Sequence, residues 1–319
     1  MKGLTDIPGI RVGHASDYDA ITGCTVVLCE QGAVAGYEIR GSATGTEEFE
    51  VMSALHMAPC IHAVVLAGGS AFGLEAASGV RRRLEREGVG FDTGVAKVPL
   101  VPCAILFDLA IGRPNARPTR EMGELAAAAA TDAAVQEGSV GAGTGATVGK
   151  LFGMERAMKG GVGSYTLVAG GPKSKTLVSA LAVVNALGDV VDPATGKILA
   201  GARKSKTSTA FADSARAMRE GRASGFRAEN TTLVVVATNA RLTKAGATKL
   251  AQLASIGMAR AIAPVWTLSD GDLVIALSLG REEAAIDTLG AVAAEAVAQS
   301  IVRAVKSARS LGGVPGLAG

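Results

Sequence analysis

The stretch GFRAENTTLVVVATNA, residues 225–240, places the strongest constraint on what this chain can become. A polar, charged segment stops at Asn230-Thr231-Thr232 and an almost wholly apolar run begins at once, with no turn residue or helix cap between them. Such a run reads as a buried strand. HAVVLAGG (62–69), SYTLVAGG (164–171), TLVSALAVVNALGDVV (176–191) and DLVIALSLG (272–280) share its character, and TGCTVVLCE (22–30) and AVAGYEIRG (33–41) add two more strands. Helical patterns lie beside them: residues 72–88, stopped by Gly88; 122–138, stopped by Gly138; 243–262; and an amphipathic helix from Glu282 to about Leu311. The turn DPATG, Asp192 to Gly196, suits a chain reversal. Strands with helices set beside them specify a layered α/β protein, helices outside and sheets within.

Composition narrows the class. Hydrophobic residues are 48% of the 319 and charged residues 19%, enough for a large core, while aromatics are only 3% and glycines number 42, so elements can pack closely. A net charge of +3, with no basic stripe interleaved with aromatics, gives no reason to expect nucleic acid as a partner. The N-terminus does not read as a signal peptide and no run of about 18 apolar residues free of charge occurs, so no membrane span is expected. Cys24, Cys29, Cys60 and Cys103 lack zinc or redox spacing and read as reduced thiols. A cytoplasmic location is the resulting expectation.

Between Ala200 and Asn230 seven basic residues face three acidic ones without apolar periodicity. This stretch reads as a mobile, exposed linker with a short helix around Ala212 to Arg219. Several motifs elsewhere fail on spacing. A nucleophile elbow around Ser70 needs glycine where Phe72 stands, and a phosphate loop ending at Lys150 needs glycine at Thr144 and a hydroxyl at Leu151. The three histidines, His14, His56 and His62, carry no metal-binding or triad signature, so neither a metal nor another cofactor is expected.

Chemistry without an available histidine needs another base. A free α-amine titrates near neutrality. A cut between Asn230 and Thr231 would give Thr231 such an amine beside its own hydroxyl, so that nucleophile and base share one residue. On the residues alone, Thr231 and Thr232 serve equally as the β-branched start of a strand.

TDIPGIRVGHA, GGSAFGLEAA, GAGTGATVGK, MKGGVGS, AVVNALGD and NTTLVVVATNA run in order from Thr5 through the chain. Together they resemble the DmpA-like family of self-cleaving aminopeptidases and amide hydrolases, and within it most of all the NylC type, the nylon-oligomer hydrolases. The resemblance implies an α-β-β-α sandwich of the N-terminal-nucleophile-hydrolase kind. It also implies a single domain cut into chains 1–230 and 231–319, with the linker of 200–230 ending at the cut. Thr231 is then the nucleophile, with Asp270 and Asp272 beyond it in an Asp-x-Asp arrangement. Lys159 matches the family's active-site lysine and Asn185 its oxyanion-stabilising asparagine. Residues two apart in extended chain point to one side, so the two aspartates can converge. Aminopeptidase members generally cut at Gly-Ser and carry Ser-x-Glu, so Asn230-Thr231 and Asp270-x-Asp272 favour endo-type cleavage of 6-aminohexanoate oligomers or related linear amides. Three alternatives stand beside that reading. They are an aminopeptidase acting on small residues or β-peptides, acyl transfer resembling ornithine acetyltransferase, and an uncut binding protein. The family also implies a homotetramer.

Overall fold

The computed structural model describes residues 1–171, 173–222 and 230–319. An 18-residue strand, Thr22–Ile39, organises the architecture. Val34 to Ile39 pair with Ser278 to Leu273 of the strand Leu273–Glu282, whereas Cys24 to Leu28 pair with Ala67 to Ala63 of Ile61–Ala67. The register shifts between Leu28 and Ala33. One strand thus belongs to two sheet halves, which the shift lets fold over one another. The first half runs Gly161–Ala169, Thr176–Asn185, Thr231–Ala240, Leu273–Glu282 and then the shared strand. The second continues through Ile61–Ala67, Cys103–Ile105 and Thr46–Glu47, with Arg11–Asp17 paired on the side.

Alternation along each strand sends side chains into different layers. Leu233 and Val235 meet Leu181, Val183, Leu273 and Ile275 and face Val27, Val64 and Leu66 between the sheets. Val234 and Val236 point the other way, onto helices α4 (Lys244–Ala261) and α5 (Ile286–Lys306). Helices α1 (Ala76–Arg86) and α2 (Arg120–Ala128) cover the opposite sheet through Val80, Leu84, Ala126 and Ala127. The result is the expected four layers. Small residues are what let them approach: a Cβ on Gly36 would lie 2.2 Å from the Thr248 backbone nitrogen of α4. Helix α5 is long and apolar enough to cross a bilayer by composition alone, yet two thirds of its apolar window is buried against the sheet.

Two elements differ from expectation. The helix read over 122–138 is α2 alone, ending at Ala128, because Thr131 exchanges backbone bonds with Val12 and Gly138 with Val162. The run 176–191 is two strands, Thr176–Asn185 and Asp189–Val191, the second pairing with Ile198–Ala200 and Ile262–Ala263 in a separate small sheet. Asn185 therefore ends its strand rather than lying inside it.

The basic stretch after Ala200 is only partly exposed. Ala202, Ser214 and Ala217 are fully buried, and helix α3 (Ser214–Arg219) forms within it. Residues 223–229 lie outside the described residues. Asp189 anchors the segment: its carboxylate accepts from the Ala202 amide, the Ser214 amide and the Ser214 hydroxyl, each at 2.7 Å. Asp189→Ala strands these donors in the interior and is expected to cost about 3 kcal/mol. It should also open the region between Ala202 and Arg222 to protease. Unchanged melting and unchanged digestion would show that the tether carries no weight.

Candidate active site

Thr231 begins its strand opposite Asn185, and Asn230 forms a parallel bridge to Asp270. Four of the five residues expected to carry the chemistry therefore meet at the ends of three adjacent strands, a convergence that sheet register alone produces. The Asn230 amide donates to the Ser269 carbonyl at 2.9 Å, and the Asn230 carbonyl accepts from the Gly271 amide at 2.6 Å. A Cβ on Gly271 would lie 2.9 Å from Thr231 Oγ1, so glycine is what leaves room for the hydroxyl. Asn230 is fully buried and Thr231 is 2% exposed. The 230–231 peptide is therefore enclosed.

Both aspartates are buried and fixed. Asp270 accepts from the Thr267 amide at 2.8 Å and hydroxyl at 2.7 Å, and Asp272 accepts from the Thr232 amide at 2.5 Å. Burial raises both carboxyl pKa values, and the neighbouring Asp270 charge raises that of Asp272 further. Lys150 opposes this as a cation.

That lysine lies outside the five residues the sequence points to. Lys150 Nζ donates to the Asn185 side-chain oxygen at 2.8 Å and to its carbonyl at 2.9 Å. It feels Asp270 most strongly among the carboxylates, then Asp108 and Asp272, while burial brings its pKa down to about 7. Lys159 is equally buried and also brought down to about 7 by burial, but its ammonium binds the carbonyls of Thr144 (2.8 Å) and Ala146 (2.6 Å), and its carboxylate neighbour is Asp108. Both lysines sit in stretches that the sequence singles out. Lys150 closes GAGTGATVGK, which fails as a phosphate loop and belongs to the stretches that carry the family resemblance. Asn185 is well occupied: Nδ2 donates to the Phe107 carbonyl at 2.9 Å, and Oδ1 also accepts from the Thr147 amide at 3.0 Å.

The buried lysines make stability depend on pH. The folded pKa of Lys159, about 7, lies below the ordinary 10.5. Between these values the unfolded chain holds a proton that the folded chain lacks, so raising the pH favours the fold; below about 7 both states are protonated and the dependence ends. Wild type should therefore gain stability over Lys159→Met at up to about 1.4 kcal/mol per pH unit between pH 7 and 8.5. Parallel stability curves for the two proteins would exclude a depressed Lys159.

A surface groove of about 700 Å³ between Tyr18, Glu137, Ser139 and Arg309 contains none of these groups. Among the described residues no cluster of His, Cys, Asp or Glu is suited to a metal ion.

Four layers of this topology, with a hydroxyl residue opening a central strand, define an α/β fold of the N-terminal-nucleophile-hydrolase type. It is shared with an L-aminopeptidase D-Ala-esterase/amidase from Ochrobactrum anthropi (TM-score 0.73, 20% identity, 98% of this chain and 88% of that one). A Burkholderia sp. beta-aminopeptidase shares it too (TM-score 0.71, 23% identity, 99% and 90%). The chain belongs to peptidase family S58, whose model matches residues 2–318, and it is an amidohydrolase of that family. An uncharacterized aminopeptidase of Mycobacterium tuberculosis is 40% identical over 99% of this chain and 96% of its own length. A 6-aminohexanoate-oligomer endohydrolase of Kocuria sp. is 29% identical over 94% and 85%. The expected lean toward nylon-oligomer hydrolases is corrected accordingly: relatives named as aminopeptidases are the more similar of the two kinds.

Proposed function

We propose that this chain is the precursor of an N-terminal threonine hydrolase that severs its own Asn230–Thr231 bond and then acts as an aminopeptidase on small residues. The observation that carries this reading is the enclosed 230–231 peptide, its carbonyl on the Gly271 amide and the Thr231 hydroxyl beside Gly271. Thr231 Oγ attacks the Asn230 carbonyl carbon, the C–N bond breaks, and the proton passes to the Thr231 nitrogen. The resulting ester is hydrolysed by water to the Asn230 carboxylate and a free Thr231 hydroxyl.

Before the cut the Thr231 nitrogen is an amide and no base. Proton transfer then falls to the cluster, where Lys150, at about 7, is in a suitable range and burial raises the Asp272 carboxyl beside it. After the cut the amine takes over, with Asp270 and Asp272 orienting it and Lys150 and Asn185 stabilising developing negative charge. Endo-cleavage of 6-aminohexanoate oligomers is a second reading, favoured by Asn230-Thr231, the aspartate pair and the relatives at 29% identity. A homotetramer in the cytoplasm completes the proposal.

Mass spectrometry of the purified protein should give fragments of 230 and 89 residues. Alanyl and glycyl p-nitroanilides should be hydrolysed with no added acyl acceptor. An absolute need for an amine acceptor would move the protein to the acyltransferases.

A further inference from the structure

We propose that the strip Ser269–Gly271 is the clamp for the acyl residue of the substrate, and that Asn230 occupies it in the intact chain as a built-in first substrate. This rests on the self-cleavage reading above. Three contacts define the clamp. The Asn230 carbonyl oxygen accepts from the Gly271 amide at 2.6 Å, the Asn230 nitrogen donates to the Ser269 carbonyl at 2.9 Å, and the Asn230 side-chain amide approaches that same carbonyl at 3.4 Å. Thr231 Oγ1 lies alongside at Gly271.

Once Asn230 departs, a carbonyl and an amide of the strip face the place it leaves. The strip is fastened on its other side. The carbonyl of Asp270 accepts from the Ala43 amide at 2.9 Å, and that of Asp272 accepts from Arg40 at 2.9 Å and Gly41 at 3.0 Å. The Asp270 side chain is tied to Thr267. An incoming acyl residue docks as a one-residue extension of the Thr231–Ala240 strand, recognised by main-chain bonds.

Two consequences follow for chemistry. The Gly271 amide already touches the oxygen that becomes the oxyanion, and its bond strengthens as charge develops there. The Ser269 carbonyl requires a nitrogen on the carbon next to the scissile carbonyl. An α-aminoacyl residue satisfies both groups at once. A 6-aminohexanoyl residue, whose nitrogen lies at the far end of its chain, satisfies only Gly271. The enclosure of Asn230, fully buried, further specifies a small uncharged side chain.

The test compares alanyl, asparaginyl, propionyl and 6-aminohexanoyl p-nitroanilides on the processed enzyme, each rate corrected for alkaline hydrolysis of the same anilide. Loss of the α-nitrogen should lower kcat/KM by about 10- to 100-fold, the range for a hydrogen bond made by a charged group. Equal corrected rates for alanyl and propionyl compounds would overturn the clamp. Replacing Gly271 by glycolic acid through nonsense suppression exchanges its N–H for an ester oxygen. Self-cleavage and turnover should both slow by about 10²- to 10³-fold, and undiminished rates would remove Gly271 from the oxyanion site. A wild-type chain that stays uncut and hydrolyses none of the four compounds would instead defeat the hydrolase reading itself.

Discussion

Thr231→Ala yields one uncut chain of 31.9 kDa with turnover lowered by about 10⁴-fold or more. The size of the effect follows from the double duty assigned to one residue. Removing the hydroxyl removes the nucleophile for the 230–231 peptide, and without that cut no α-amine is released to act on a second substrate. The substrate's place also stays filled, because Asn230 remains enclosed. The substitution deletes few atoms at a strand end whose backbone pairing with Asn185 is independent of the side chain, so the fold should persist. Thr231→Ser, which keeps the hydroxyl, should still process. Intact mass and progress curves on alanyl p-nitroanilide measure both effects, and turnover by the alanine variant above a thousandth of wild type would end the nucleophile assignment.

The second large effect separates the two buried lysines. Lys150→Met should slow self-cleavage and turnover together by about 10²- to 10³-fold, the usual cost of deleting one preorganised electrostatic group. Lys150 bridges Asn185 and feels both aspartates behind Thr231. Lys159→Met should stay within about tenfold of wild type in rate, because Lys159 binds the carbonyls of Thr144 and Ala146 and its effect is on the fold. Comparable methionine volumes at both sites make the contrast informative. The opposite ranking would return the active-site role to Lys159, the lysine that the motif MKGGVG suggests.

How much of this was legible in the chain depends on the range of the interaction concerned. Thr231–Ala240 and Leu273–Glu282 are readable as strands because every residue of their central runs is apolar, and α4 opens at a threonine cap, Thr243, whose hydroxyl accepts from the Gly246 amide. Such signals are local. The end of α2 at Ala128 is not, since alanines favour helix beyond it; the backbone of 131 is drawn instead into pairing with Val12, over a hundred residues away in sequence. The break after Asn185 is likewise decided by a second sheet, which takes Asp189 and Val190 to Ala263 and Ile262.

The site divides along the same line. By itself the sequence determined the layered class, the abrupt entry at Asn230-Thr231 into a buried strand, and the spacing that sets Asp270 and Asp272 on one side of an extended segment. Only tertiary structure decided which lysine stands with them. Lys150 and Lys159 are chemically alike, and each precedes or borders a glycine-rich turn. Their difference lies in which distant oxygens each ammonium meets once the sheets close over it. The placing of Ser269 and Gly271 around Asn230 was also beyond the sequence, because backbone groups are the same at every position and acquire a role only through register.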